Sequence, residues 1–295
     1  MPTIAEVKRL GVEILSKVNS DSAMLDAEIL LGFVLNLSKA QLIVRDKQEL
    51  STADRDKFLA LIEQRAKHCP IAYLIGEKEF YSYAFKVNKN VLIPRPETES
   101  LVEKVLETVA KSDNLSETVL VEVGTGSAAI IISLVNELRK KKTSFAKNLA
   151  IDISAEALEV AKANAAFYNI ENEISFYHGD LLRPIQDTLM LNKSSQRFCF
   201  IANLPYISEE AILPVDVEMY EPRLALRTGN KGLEIIYRLL SEIRTFCDKG
   251  QADIFLEFGF DQKEVLEEYF VSQGHNNFEF FRDLQGHWRF VKVCI

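Results

Sequence analysis

At 295 residues the chain exceeds the roughly 100–200 residues of one ordinary domain, so two domains or one large α/β unit are expected and a small disulfide-stapled module is excluded. Hydrophobic residues make up 47% of it and charged residues 26%, a balance that excludes wholesale disorder and leaves ample apolar area for a core. With 35 Lys and Arg against 43 Asp and Glu, the net charge of −8 excludes a basic coat for duplex nucleic acid, though not a local basic groove.

From Pro2 to about Lys67 apolar residues recur at helical spacing, as in Val7-Leu10-Ile14 and Leu25-Ile29, and a small all-helical domain is expected over residues 1–75. Asp21 or Ser22 is suited to cap a second helix, and Ser51 followed by Asp54 to start a later one. After Pro70 the segment EFYSYAFKVNKNVLI alternates and is rich in aromatic and β-branched residues, which predicts a hairpin turning near Ser82 within a linker over residues 76–94. Beyond Arg95 short apolar runs alternate with amphipathic helices: TVLVEV, a helix to about Arg139, NLAIDI, a helix to about Phe167, EISFYHG, FCFIAN, a long helix near Gly232–Cys247, ADIFLEF, a further helix, FEFFRDL and WRFVKVCI. Strands alternating with helices imply right-handed βαβ units and a mostly parallel sheet over residues 95–295, and the last two strands, lying close together, imply an antiparallel edge. The fold class is therefore α/β.

Cys69, Cys199, Cys247 and Cys294 stand far apart and form no C-x-x-C pair, so free thiols in a reducing compartment are expected. His68, His178, His275 and His287 show no metal-ligand spacing, and no metal site is expected. No stretch approaches the roughly 18 apolar residues of a membrane span, and the first residues lack a continuous apolar run, which points to a cytoplasmic protein without a membrane partner.

The strand VLVEV runs into Gly124-Thr125-Gly126-Ser127 and then a helix, so the turn is expected to bring backbone N–H groups near a nucleotide-like ligand. Asp152 ends the next strand, where a carboxylate can accept from both hydroxyls of a ribose. Asp180 follows the third strand, placed to accept from an adenine amino group while Leu181 packs on the ring. Up to this point a nicotinamide dinucleotide and S-adenosylmethionine fit equally. The fourth strand favours the second, because it ends in Asn203-Leu204-Pro205-Tyr206. An amide or aromatic amine is a poor nucleophile whose lone pair is delocalised; two acceptors on its N–H hydrogens help the nitrogen pyramidalise toward an electrophile. Asn203 Oδ1 and a backbone carbonyl held by Pro205 can supply those acceptors, and Tyr206 a flat face for a planar group.

VEVGTGSAAI, AIDISAEALEVAKANA, GDLL, IANLPYI and EPRLALRTGNKGLEIIYRLL together resemble the successive motifs of the bacterial release factor glutamine methyltransferases. LDAEILLGFVL and IAYLIGEKEFYSYAFKVNKNVLIPRPETESLVE resemble the N-terminal and linker segments of that family, and DLQGHWRFV its closing hairpin, so that essentially the whole chain is covered. The resemblance implies a class I S-adenosylmethionine-dependent enzyme with a Rossmann-like seven-stranded sheet that methylates N5 of the Gln in the Gly-Gly-Gln motif of peptide chain release factors and leaves S-adenosylhomocysteine. It implies that residues 124–128 (Gly124, Thr125, Gly126, Ser127 and Ala128) and Asp152 hold the cofactor, with Leu181 near adenine. It also implies that Asn203, Pro205 and Tyr206 match the N-P-P-Y motif for the target amide, Asn203 bordering cofactor as well as substrate. Pro94-Arg95-Pro96-Glu97-Thr98 would border the same cleft, although Pro96 and Glu97 also make an ordinary helix start. A monomer is expected.

Two positions depart from the family. Leu204 stands where it usually has Pro, and N-L-P-Y is also the spelling of rRNA adenine dimethyltransferases, which makes N6 of adenine in RNA the alternative substrate. Against that stand the net charge, the EPRLAL segment, and a helical domain placed before the catalytic fold. Ala128 stands where a last glycine is common, a change expected to be tolerated if φ there is negative. The first helices carry Glu6, Glu13, Asp26 and Glu28 among their apolar positions, and the resemblance assigns this domain to substrate recognition.

Overall fold

The structure, a computed structural model, describes residues 1–18, 22–111, 115–187, 197–247 and 252–295. The chain divides into two compact units: Met1–Glu77 with Leu213–Tyr220, and Lys78–Ile212 with Glu221–Ile295.

The first unit contains α1 (Ile4–Ser16), α2 (Ala23–Leu35), α3 (Lys39–Val44), α4 (Thr52–Ala66) and α5 (Ile71–Ile75). Thr3 and Glu6 form a reciprocal capping box that starts α1: Thr3 Oγ1 accepts from the Glu6 N–H and the Glu6 carboxylate accepts from the Thr3 N–H. Gly11 lets α1 approach α4, since a Cβ there would lie 2.6 Å from the Phe58 ring. Ser51 caps α4 as expected, accepting from the Asp54 N–H at 3.1 Å. Ser22 stands at the start of α2 without a side-chain cap, and Asp21 lies outside the described residues. Helical spacing in α2 predicted the helix but not its buried face, because apolar residues lie on every side of it and the acidic Asp26 is on the buried one. Ala27, Leu30 and Leu31 are buried, whereas Leu25 and Ile29 are exposed. The short helix Val215–Tyr220 belongs to this unit, where the Tyr220 hydroxyl donates to the Lys67 carbonyl at 2.8 Å.

The chain passes into the second unit through the hairpin β1 (Glu77–Phe80) and β2 (Tyr83–Lys86), whose first residue still counts with the first unit. Tyr81 and Ser82 form its two-residue turn, both at positive φ, as the twist of a tight hairpin requires. A seven-stranded sheet follows: β3 (Thr118–Val123), β4 (Lys147–Asp152), β5 (Ile174–His178), β6 (Arg197–Ala202), β7 (Ala252–Glu257), β8 (Phe278–Arg282) and β9 (Trp288–Cys294). Their order is β5-β4-β3-β6-β7-β9-β8; the first five are parallel, and β9 runs antiparallel between β7 and β8.

Helices cover both faces of the sheet, so the central strands are apolar without alternation; every residue of β3 is buried. Leu120, Ala150 and Ile201 face α6 (Glu99–Val109), α7 (Ala129–Lys140) and α8 (Ala155–Phe167). Val121, Ile151 and Phe200 face α9 (Glu234–Phe246) and α10 (Lys263–Ser272). Each such fully buried Val, Leu, Ile or Phe side chain contributes roughly 1.5–3 kcal/mol of transfer free energy. After β5 the chain returns to the other side of β3 to form β6, so the order reverses between β3 and β6 and opens a crevice above their carboxyl ends.

Candidate active site

A cavity of about 460 Å³ fills that crevice, within the range of roughly 300–1,000 Å³ usual for small-molecule sites. Gly124, Thr125, Gly126 and Ser127 after β3, Asp152 at the end of β4, Asp180 and Leu181 after β5, and Asn203, Leu204 and Pro205 after β6 all line it. Pro94, Arg95 and Thr98 line it as well, and Pro96 opens the short helical turn beside them, so that segment both borders the cleft and starts a helix. Tyr206 and Ala128 do not lie on its wall.

The glycine turn works differently from the sequence expectation. The N–H groups of Gly124 and Thr125 both donate to the Ile151 carbonyl at 2.9 Å, and that of Gly126 donates to Asp152 Oδ2 at 2.8 Å. These three donors are engaged within the protein, so Gly124, Thr125 and Gly126 contribute close approach rather than free N–H groups. Gly124 has φ +73, and a Cβ there would lie 2.9 Å from Leu204 Cδ2; the leucine that replaces the usual proline packs against this turn. Ala128 corrects the premise on which it was expected to be tolerated: its φ is +61, a left-handed conformation that costs a residue with a Cβ roughly 1–2 kcal/mol. Its methyl is wholly buried in the apolar layer under α7.

Asp152 is not the cap of α8. Ser154 has that role, its Oγ accepting from the Ala157 N–H at 3.1 Å, while Asp152 accepts from the N–H groups of Gly126 and Ser154. Burial raises the Asp152 carboxyl above the ordinary aspartate range, and those backbone donors partly offset the rise. Asp180, expected to face an adenine amino group, lines the cavity and pairs through Oδ2 with Arg238, a second wall residue.

Asn203 is fixed from behind. Its Nδ2 donates to Thr98 Oγ1 at 3.2 Å, and the Thr98 hydroxyl donates to Glu257 Oε2 at 2.7 Å. The Tyr206 hydroxyl donates to Glu257 Oε1 at 3.2 Å. The Tyr206 carbonyl accepts from Gln262 Nε2 at 2.8 Å, which anchors the loop after the motif. Burial pushes the Tyr206 phenol up, and the Glu257 carboxylate beside it adds to the rise. Arg95, on the wall as well, pairs with the buried Glu221, which also accepts from the Ile93 N–H.

Sequence reasoning missed Glu122 and Arg238 on the wall and Glu221 and Glu257 behind it, and it placed Thr98 at the cleft without its hydrogen bond to Asn203. Two had a signal: Glu122 in TVLVEV and Glu257 in ADIFLEF are lone acids in otherwise apolar strand ends. Both are buried; Glu122 accepts from the Thr125 hydroxyl, and burial pushes its carboxyl up to about 8. Among the described residues no group of acids, histidines and cysteines is arranged to hold a metal ion, and no helix is long and apolar enough to cross a membrane.

A family profile described as the PrmC N-terminal domain matches residues 6–76, and one described as RNA cap guanine-N2 methyltransferase matches residues 124–206. A "Bifunctional methyltransferase" of Rickettsia felis is 34% identical over 316 residues, covering 98% of this chain and 57% of that protein. The chain thus spans about half the length of the first curated relatives it matches. A "Release factor glutamine methyltransferase" of Rhodopirellula baltica is 33% identical over 298 residues, covering 99% of this chain and 96% of that protein. Among solved structures, the hMettl16 catalytic domain in complex with a MAT2A 3′UTR hairpin shares the fold, with a TM-score of 0.55 at 16% identity, covering 79% of this chain and 81% of that one. The chain belongs to the release factor glutamine methyltransferase family.

Proposed function

We propose that the protein transfers a methyl group from S-adenosylmethionine to the side-chain amide nitrogen of the Gly-Gly-Gln glutamine in a peptide chain release factor. The observation that carries this reading is the pinned Asn203: with Nδ2 committed to Thr98, its Oδ1 is the end left for a substrate N–H. Membership of the family supports the same reading.

The cavity suits the cofactor in size, and its wall offers a carboxylate for the ribose at Asp152, apolar cover for adenine at Leu181, and the tight turn at Gly124. Arg238 engages Oδ2 of Asp180, so Oδ1 is the oxygen left to accept from the adenine amino group. When bound, S-adenosylmethionine supplies an electrophilic methyl on a sulfonium. Asn203 Oδ1 and the Leu204 carbonyl, placed by Pro205, accept the two N–H hydrogens of the glutamine amide. Tyr206 lies behind the wall, where its hydroxyl bond to Glu257 and its carbonyl bond to Gln262 hold the loop that carries Asn203 and Pro205. No dedicated base is required, since the proton of the methylated nitrogen passes to water.

We assign residues 1–75 to recognition of the release factor, 76–94 to a linker and 95–295 to catalysis. The four free cysteines agree with action in the cytoplasm, where release factors work. Incubating the protein with methyl-labelled S-adenosylmethionine, and in separate reactions with release factor and ribosomal RNA, tests the reading. Label is expected in the factor, lost in Asn203→Ala without loss of cofactor binding. Label in RNA alone would favour adenine, the substrate suggested by the N-L-P-Y spelling.

A further inference from the structure

Glu257 closes β7 with only 1% of its surface exposed, yet the methyl transfer proposed above gives its charge no task. Its two oxygens accept from Thr98 and Tyr206, and Thr98 Oγ1 in turn accepts from Asn203 Nδ2. A threonine hydroxyl has one hydrogen. While that hydrogen points to Glu257, Thr98 can only accept from Asn203, so the Asn203 amide must turn its NH2 toward Thr98 and keep Oδ1 for the cavity.

We propose that Glu257 is a positioning residue: as an acceptor it sets the direction of the chain Asn203–Thr98–Glu257, and a proton on it reverses that direction and turns the Asn203 amide over. This rests on the methyl-transfer reading for its consequence, though not for its geometry. A protonated Glu257 must donate one hydrogen bond. Thr98 Oγ1 is the better recipient, being closer than Tyr206 and an alkyl oxygen rather than a conjugated phenol oxygen. Thr98 would then point its hydrogen at Asn203, which must answer with Oδ1. Nδ2 would face the substrate, so that donor meets donor.

The groups around Glu257 place this reversal in an accessible range. Burial pushes its carboxyl up to about 7; Glu97 in the turn before α6 adds to the rise. Thr98, Tyr206 and Arg289 on β9 oppose it, and Asp283 holds that arginine at 3.3 Å. Arg95, which faces Tyr206, is paired with Glu221.

The test is the pH dependence of methyl transfer to release factor by the full-length protein and its Glu257→Gln and Thr98→Val variants. For the wild type, kcat should fall about tenfold per pH unit below 7, as for any group that must be ionised. Glu257→Gln carries an amide that does not titrate, so this acid limb should vanish. Thr98→Val cuts the chain, and kcat should fall on the order of tenfold to a hundredfold at every pH with cofactor affinity unchanged. A second readout needs no substrate. The Asn203 side-chain NH2 resonance, identified by its loss in Asn203→Ala, should titrate with a midpoint near pH 7 in the wild type and stay still in Glu257→Gln. An unmoving wild-type resonance, or an acid limb that survives in Glu257→Gln, overturns the proposal. Absence of methyl transfer by the wild type would instead count against the release-factor reading, and the resonance would still decide the role of Glu257.

Discussion

The Asp152 carboxylate accepts a hydrogen bond from the Gly126 N–H at 2.8 Å, so the acid that ends β4 braces the glycine turn that leaves β3. One side chain therefore supports the floor of the cavity and faces its interior, and two effects should separate on mutation. Asp152→Ala removes an acceptor from two backbone N–H groups, which costs roughly 1–3 kcal/mol for each donor left unsatisfied. The melting temperature should fall accordingly. Affinity for S-adenosylhomocysteine should also fall, on the order of tenfold to several hundredfold for lost charged hydrogen bonds to ribose. Calorimetry of ligand binding beside a thermal melt checks both: wild-type affinity would remove the ribose assignment, and an unchanged melt would remove the bracing role.

Ala128→Gly sets three terms of similar size against one another. Release of the left-handed strain at φ +61 stabilises by roughly 1–2 kcal/mol. Loss of a buried methyl costs about 0.8 kcal/mol, and the freer unfolded chain costs about 0.4–1 kcal/mol. The sum is close to zero, so denaturant unfolding should show a change within about 1 kcal/mol. Because Ala128 does not line the cavity, cofactor affinity should stay within about twofold of the wild type. A larger gain in stability would mean that strain dominates at this turn.

The strands were legible because each buried strand is an apolar run between polar turns; TVLVEV and β3 coincide, and NLAIDI and β4 differ by a single residue at each end. Gly124, Asp152 and Asn203 were legible as site residues because they follow strands at the edge where such sheets place ligands. Arg238 was not legible, and Thr98 was legible only as part of a segment bordering the cleft. Each reaches the site from a helix or turn remote in sequence, and nothing local marks Thr98 as the partner of an asparagine more than a hundred positions later. The exposed face of α2 escaped for another reason: with apolar residues on every side and Asp26 on the buried one, the helix carries no periodic signal of which side is buried.

Glu122 should make stability depend on pH. Its folded-state value of about 8 stands above the 4.5 of an ordinary glutamate because burial disfavours the charge. The folded chain therefore holds a proton that the unfolded chain releases. The associated stability is fully present below about pH 4.5 and is lost as pH rises to about 8. Glu122→Gln is neutral throughout and can still accept from Thr125. The difference in melting temperature between variant and wild type should shift in favour of the variant from pH 5 to pH 8 and level off above. A difference constant over that range would show that Glu122 is ionised in the fold, stabilised by something other than the Thr125 hydroxyl.

The helical domain should matter for which protein is methylated and little for cofactor. A glutamine on a loop offers few contacts, so separating one release factor from every other exposed glutamine needs a second surface whose binding energy positions that loop. Every residue lining the cavity belongs to the second unit, so deletion of residues 1–75 should leave S-adenosylhomocysteine affinity near that of the full chain. The same deletion strips the helix Val215–Tyr220 of partners such as the Lys67 carbonyl, so a thermal melt must accompany the assay to show that the remaining chain is folded. Methylation should then be measured on an intact release factor and on a short Gly-Gly-Gln peptide. The full chain should strongly prefer the factor; in the truncated protein the rate on the factor should fall toward the rate on the peptide, which should change little. Equal losses on the two substrates would show that the helices only support the catalytic fold, and the recognition role would be withdrawn.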